Sequence, residues 1–350
     1  MNRRAALLRS GVGAARYRLT GHRMPLSVHL LVTERCNALC TTCAQPLRAT
    51  RELDTNELIR LVDELAACGT VRVGIGGGEP LVRDDIGALV DRCTAHGMWT
   101  TLETNGYLYP ERAEELRALG RLVIALDGPE EVHDANHEPG SWRKAVAAVR
   151  VARARGLDVH IVATVTRANV ERLDEVLDLA DELDVTADFQ LLQGRPWLSP
   201  ARLAELAPAD SAVRKAFRGL LEARLAGRRV GSTEKFLRYM LTWEDLSVPT
   251  STVPHEDVHC LAGQLYCAVQ PDGRVSPCSM SPALPGGVRE HGFGAAFDAL
   301  RDNPCRACTS TALTEYNYLY NLNAPTLLEW VKTLRPQGGP EKGATRRGGE

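Results

Sequence analysis

The feature that most restricts the fold is an alternation. Between residues 27 and 193, six short apolar, β-branched runs, at 27–33, 71–75, 99–104, 122–126, 159–166 and 187–192, are separated by stretches of helical periodicity at 55–67, 84–96, 110–119, 141–155 and 173–183. Each run has strand length and each spacer holds a crossover helix, so successive strands can lie parallel with helices covering them. The expected class is α/β: six parallel strands that close partly, as a partial (β/α)6 barrel, or lie in a parallel sheet buried by those helices. In such folds the loops at the C-terminal strand ends carry the chemistry. The unusual residues fall there: 36–43 after the first run, 76–80 after the second, 104–106 after the third and 127–129 after the fourth.

The barrel pattern occupies 25–195. A basic amphipathic segment, 1–24, precedes it; a helical linker region, 196–254, and a small cysteine-rich domain, 255–310, follow, then a closing helix, 311–335, and a disordered tail, 336–350. Arg3, Arg4, Arg9, Arg16, Arg18 and Arg23 stand before the first acid, Glu34. That pattern suits a surface helix, and it leaves peripheral membrane contact or a targeting role open. The apolar piece 5–8 is too short for a signal-peptide core, and no run approaches the roughly 20 residues that cross a bilayer. Lys+Arg 42 against Asp+Glu 44 gives a net charge of -2, so no basic field points to nucleic acid.

The 10 cysteines stand at 36, 40, 43, 68, 93, 260, 267, 278, 305 and 308. A disulfide scaffold would be short and led by a signal peptide, so metal or redox use in a reducing cytoplasm is expected. Cys36, Cys40 and Cys43 sit close enough in one loop to meet at one centre. A structural zinc site closes with four ligands and would need a distant fourth, whereas an iron–sulfur cluster on three thiolates leaves one iron open to a small molecule.

The chain here resembles the radical S-adenosylmethionine (radical SAM) superfamily, whose CxxxCxxC lies in this same loop, and the resemblance covers nearly the whole sequence. Gly77-Gly78-Glu79-Pro80 is similar to the superfamily's GGEP, Thr104-Asn105-Gly106 to its TNG, and Leu126-Asp127-Gly128-Pro129 with His133-Asp134 to its LDGP and HD elements. The resemblance implies a 4Fe-4S cluster on Cys36, Cys40 and Cys43. It implies S-adenosylmethionine on the open iron, contacted by Gly77, Gly78, Glu79, Thr104, Asn105, Asp127 and His137, and its reductive cleavage to a 5'-deoxyadenosyl radical. Three positions depart from the pattern: Thr42 replaces an aromatic, Ala125 a serine, and His137 an arginine that meets the cofactor carboxylate.

Cys260 and Cys278 flank Gln270-Pro271-Asp272-Gly273-Arg274-Val275, a hairpin signal, and Cys305-Arg306-Ala307-Cys308 adds a two-thiol hook. Four thiols suit a closed zinc or a fully ligated 4Fe-4S cluster. The layout resembles the Twitch and SPASM auxiliary-cluster extensions of radical SAM enzymes, which implies a second 4Fe-4S cluster. Cys267 is the odd thiol, and Cys68 and Cys93 read as packing residues.

A fully ligated auxiliary cluster suits electron removal from a substrate radical, hence oxidation or rearrangement of a sugar, nucleoside or peptide. Pro25-Leu26 and the LDGPEEVHD run also resemble adenosylhopene synthase, which implies adenosyl addition to a lipid as the alternative. A zinc-supported scaffold is the reading from another class. Glu103, Asp188, Gln190, Gln193 and Arg195 are polar candidates for substrate contact, with filled barrel interior as the plain alternative; His133, His255 and His259 lack triad-like company. The resemblance further implies a flavodoxin- or ferredoxin-type electron donor.

Overall fold

The computed structural model describes residues 3–43, 50–194, 198–255 and 258–332. Arg195 and the 336–350 tail lie outside them. The βα series runs β1 (Ser27–Leu31), α2 (Thr55–Ala67), β2 (Arg72–Gly76), α3 (Ile86–Ala95), β3 (Trp99–Thr104), α4 (Tyr109–Arg112), β4 (Arg121–Ala125), α5 (Glu130–Asn136), α6 (Ser141–Ala154), β5 (Val159–Val165), α7 (Leu173–Glu182) and β6 (Thr186–Leu191), with α1 (Arg3–Thr20) ahead of it. After it come α8 (Pro200–Leu206), α9 (Asp210–Leu225), α10 (Glu234–Thr242), β7 (Thr250–Ser251), β8 (Tyr266–Val269), β9 (Val275–Ser276), α11 (Val288–Asp298), β10 (Ala307–Cys308), α12 (Thr311–Tyr320) and α13 (Ala324–Lys332).

Eight of the ten strands form one sheet in the order β6-β5-β4-β3-β2-β1-β8-β9, and β7 pairs antiparallel with β10 in a second, two-stranded sheet. β1 to β6 pair parallel in sequence order, as the alternation predicts. β8 then pairs parallel with β1, Val28 opposite Cys267, and antiparallel with β9. The cysteine-rich segment therefore grows out of the barrel sheet itself. The hairpin turn is the expected one: Gly273 has φ +88°, a conformation that glycine adopts without strain.

Alternate strand residues face opposite ways. Val28, Leu30, Val73, Ile75, Leu122, Ile124, Ile161 and Ala163 are buried in one apolar core with Leu58, Leu61, Val62 and Leu65 of α2 and Ala145 and Val149 of α6. The other face lines the barrel interior with His29, Thr101, Glu103, Val123, Thr164, Asp188 and Gln190, none of them fully buried. The interior is thus polar and reachable by solvent.

Helix α1 and the closing helices pack at the other end of the strands. Ala6, Leu7 and Ala14 share a cluster with Leu26, Val71, Trp99, Leu319 and Tyr320. The basic N-terminal residues are largely committed to the protein: Arg9 donates to Gly97 O (2.8 Å), Arg18 to Asn321 Oδ1 (3.3 Å), and Arg23 to Gly263 O (2.5 Å). Where one closing helix is expected there are two, because Leu322 turns left-handed (φ +55°) and Asn323 Oδ1 accepts from Thr326 N (3.3 Å) to start α13. Pro208 likewise separates α8 from α9. Among the described residues no helix is long and apolar enough to cross a membrane.

Candidate active site

The loop after β1 carries Cys36, Cys40 and Cys43, all partly exposed. Its shape is set from the second strand. Gly78 N donates to Thr33 O (2.8 Å) and Glu79 N to Arg35 O (2.9 Å). A Cβ on Gly77 would stand 2.5 Å from Thr33 O, and one on Gly78 2.3 Å from Arg35 O, so only glycines allow this approach. The paired glycines dock the cysteine loop.

Glu79 is fully buried, and its carboxylate is occupied. Oε1 accepts from Leu81 N (2.9 Å) and Thr104 Oγ1 (2.8 Å), and Oε2 from Asn105 N (2.8 Å). Burial pushes its pKa up against these donors. The carboxylate that the resemblance expects at the cofactor thus also ties the second strand end to the third. Asn105 passes the connection on, with Nδ2 donating to Asn37 Oδ1 inside the cysteine loop (2.8 Å). Thr104 Oγ1 also accepts from Gly106 N (2.9 Å).

Asp127 closes the ring from the fourth strand. Its buried carboxylate accepts from Thr164 N (2.8 Å), Asn136 Nδ2 (3.1 Å) and His137 Nε2 (3.0 Å). His137 Nδ1 lies 3.0 Å from Cys40 Sγ. Burial disfavours the imidazolium, but hydrogen bonds to Asp127 and Cys40 outweigh it and push the His137 pKa up to about 10. His133 stacks on His137 with ring centroids 4.2 Å apart. Burial and the neighbouring His137 push its pKa down to about 4, and Nδ1 accepts from Asp127 N (3.2 Å). The ligand-type atoms of Asp127, His133 and His137 lie within 4.8 Å of one another. With both His137 nitrogens and His133 Nδ1 engaged, the group forms a charged bracket behind Cys40.

The second cysteine group also converges. Cys260, Cys278, Cys305 and Cys308 line one small cavity with Tyr266, Met280 and Asn303. Cys260 is the thiol pushed down, because Cys305 donates to it and is itself pushed up. Burial pushes Cys278 up, and Cys308 up to about 12. Four soft donors with no carboxylate or imidazole among them fit an iron–sulfur cluster or zinc. Cys267 points away from this cavity into the main core, as does Cys93. Cys68 packs against that core.

Within the barrel, His29 Nε2 stands 3.4 Å from Glu103 Oε2, and His160 Nδ1 2.6 Å from Asp188 Oδ2. Sequence reasoning overlooked His29 and His160; their place on inward-facing strand positions is the signal that marks them. Gln190 and Gln193 are drawn toward the cysteine-rich segment. Gln190 Oε1 accepts from Thr311 N (3.0 Å) and Gln193 Nε2 donates to Thr309 Oγ1 (3.3 Å). His255 packs on Tyr239 and Trp243, away from the cysteine loop.

Residues 30–180 match the Radical SAM superfamily. AdoMet-dependent heme synthase of Methanosarcina barkeri (strain Fusaro / DSM 804) is 30% identical over 294 residues, covering 77% of this chain and 83% of that protein. The chain belongs to the radical SAM superfamily. PqqA peptide cyclase of Ruegeria pomeroyi is 29% identical over 310 residues, covering 81% of this chain and 79% of its own. The crystal structure of Streptococcus suis SuiB shares the fold, with a TM-score of 0.62 at 16% identity over 83% of this chain and 69% of that one. As a radical SAM protein the chain is an enzyme, which sets aside the zinc-supported scaffold, and its superfamily implies a 4Fe-4S cluster and S-adenosylmethionine.

Proposed function

We propose that this radical SAM enzyme oxidises a peptide substrate, holding one 4Fe-4S cluster on Cys36, Cys40 and Cys43 and a second on Cys260, Cys278, Cys305 and Cys308. The observation that carries the reading is the double convergence: four strand-end motifs surround one three-cysteine loop, and four cysteines distant in sequence line one cavity. When bound, the first cluster with S-adenosylmethionine supplies a 5'-deoxyadenosyl radical and the second an electron acceptor, which together make a net two-electron oxidation. A flavodoxin- or ferredoxin-type protein supplies the reducing electron.

The chain's own residues order the site. Gly77 and Gly78 fix the cysteine loop, and Glu79, Thr104 and Asn105 brace it from the next two strands. His137, held by Asp127, presents a cation beside Cys40 where the superfamily pattern has arginine. In the barrel interior His29, Glu103 and Asp188 offer hydrogen-bonding groups to the substrate.

The similarity to PqqA peptide cyclase supports a peptide. The similarity to a heme synthase, over 83% of that protein, favours a small-molecule substrate as the second reading. The test is anaerobic co-expression with short peptides encoded beside the gene, read by mass spectrometry. A peptide lighter by two hydrogens in the wild type and unmodified with Cys305→Ala supports the first reading. Unmodified peptides, with turnover of a porphyrin or formation of an adenosylated lipid instead, contradict it.

A further inference from the structure

Asn317 of α12 is fully buried, and its two ends are treated differently. Oδ1 accepts from Leu261 N (2.9 Å) and from the Tyr266 hydroxyl (3.1 Å). Those two donors fix which end of the amide is oxygen. Nδ2 is then left, buried, with no hydrogen-bond partner. Such a group costs about 1–3 kcal/mol unless something accepts from it, so an orphaned buried donor calls for an acceptor.

The surroundings say what that acceptor is. Leu261 follows Cys260 directly, and the Tyr266 oxygen that holds Asn317 is 3.6 Å from Cys260 Sγ. Tyr266 and Cys260 both line the four-cysteine cavity. The amide N–H groups are therefore held at the Cys260 corner of the site.

We propose that Asn317 is a potential-setting residue of the auxiliary site, donating through Nδ2 to the Cys260 thiolate or an adjoining cluster sulfide. The inference rests on the auxiliary-cluster reading above. A donor to sulfur stabilises the reduced cluster more than the oxidised one, because reduction adds negative charge to the sulfurs; hydrogen bonds of this kind set cluster potentials. Asn317 thereby makes the site a better electron acceptor.

The experiment uses the full chain carrying Cys36→Ala, Cys40→Ala and Cys43→Ala, reconstituted anaerobically with iron and sulfide so that only the second site can load. Its couple is titrated potentiometrically and followed by electron paramagnetic resonance. Asn317→Leu removes the donor without adding charge, and Asn317→Asp keeps the shape should the leucine protein fold poorly. The expected result is about four irons in the parent and both variants, with the reduced-to-oxidised ratio at fixed potential falling about tenfold, or about 59 mV for one electron. Retained iron with an unmoved potential in both variants overturns the role of Asn317 alone. A parent that holds zinc or no metal overturns the auxiliary-cluster reading itself, and this inference with it.

Discussion

His137 Nδ1 is 3.0 Å from Cys40 Sγ, so a residue from the end of α5 touches the middle cysteine of the loop after β1. Nε2 is anchored on buried Asp127, which makes the ring a two-ended hydrogen-bonded bridge. A charge-assisted hydrogen bond of this kind contributes about 1.5–3 kcal/mol. His137→Ala is expected to slow 5'-deoxyadenosine formation roughly 10- to 100-fold, with His137→Arg recovering part of it. The check is the rate at saturating S-adenosylmethionine and dithionite, normalised to iron.

Gly78 touches the backbone of the cysteine loop. A methyl there would meet Arg35 O at 2.3 Å, and backbone cannot step aside as a side-chain tip can. Gly78→Ala is expected to lower iron from about eight to about four per chain while the second site stays loaded. Iron and sulfide analysis of the reconstituted variant decides it.

Loss of the auxiliary cluster should separate radical generation from product. Cys305→Ala is expected to keep 5'-deoxyadenosine formation within about tenfold of wild type and to lose product, whereas Cys40→Ala loses both. The two quantities are measured in one anaerobic assay.

An acid-sensitive clamp joins the cysteine-rich segment to the barrel. Arg289 of α11 pairs with Glu57 of α2 (2.7 Å) and donates to Glu52 O and Asp272 O. Hydrogen bonding from Arg289 holds the Glu57 pKa down at about 2 from its ordinary 4.5. A lowered acid pKa means the stabilisation is complete above pH 4.5 and is lost as pH falls toward 2. Glu57→Gln is expected to lower Tm by roughly 2 °C at pH 7, about 1 kcal/mol for this partly exposed pair, and by less at pH 3. Paired thermal melts test the narrowing.

The parallel β1–β6 order and the first cysteine set were legible because each rests on local pattern: strand-length apolar runs, crossover spacers, and thiols a few residues apart; the second set, spread from Cys260 to Cys308, was legible from its hairpin signal, its CxxC hook and the resemblance to auxiliary-cluster extensions. Pairing of β8 with β1 was not, since Tyr266–Val269 is four residues long and its partner lies more than 230 positions away. The bracing role of Glu79 was hidden for a related reason. Its partners Thr104 and Asn105 meet it only once β2 and β3 are side by side. The break between α12 and α13 depends on the left-handed turn at Leu322, a residue type that gives no warning of positive φ.

The two cysteine groups are each proposed to hold a 4Fe-4S cluster, the first driving cleavage of S-adenosylmethionine. The most direct measurement takes iron, sulfide and zinc content and 5'-deoxyadenosine yield from one anaerobically reconstituted preparation. About eight irons and eight sulfides per chain are expected, with 5'-deoxyadenosine formed on reduction. Tightly held zinc, no iron and no cleavage would contradict the proposal.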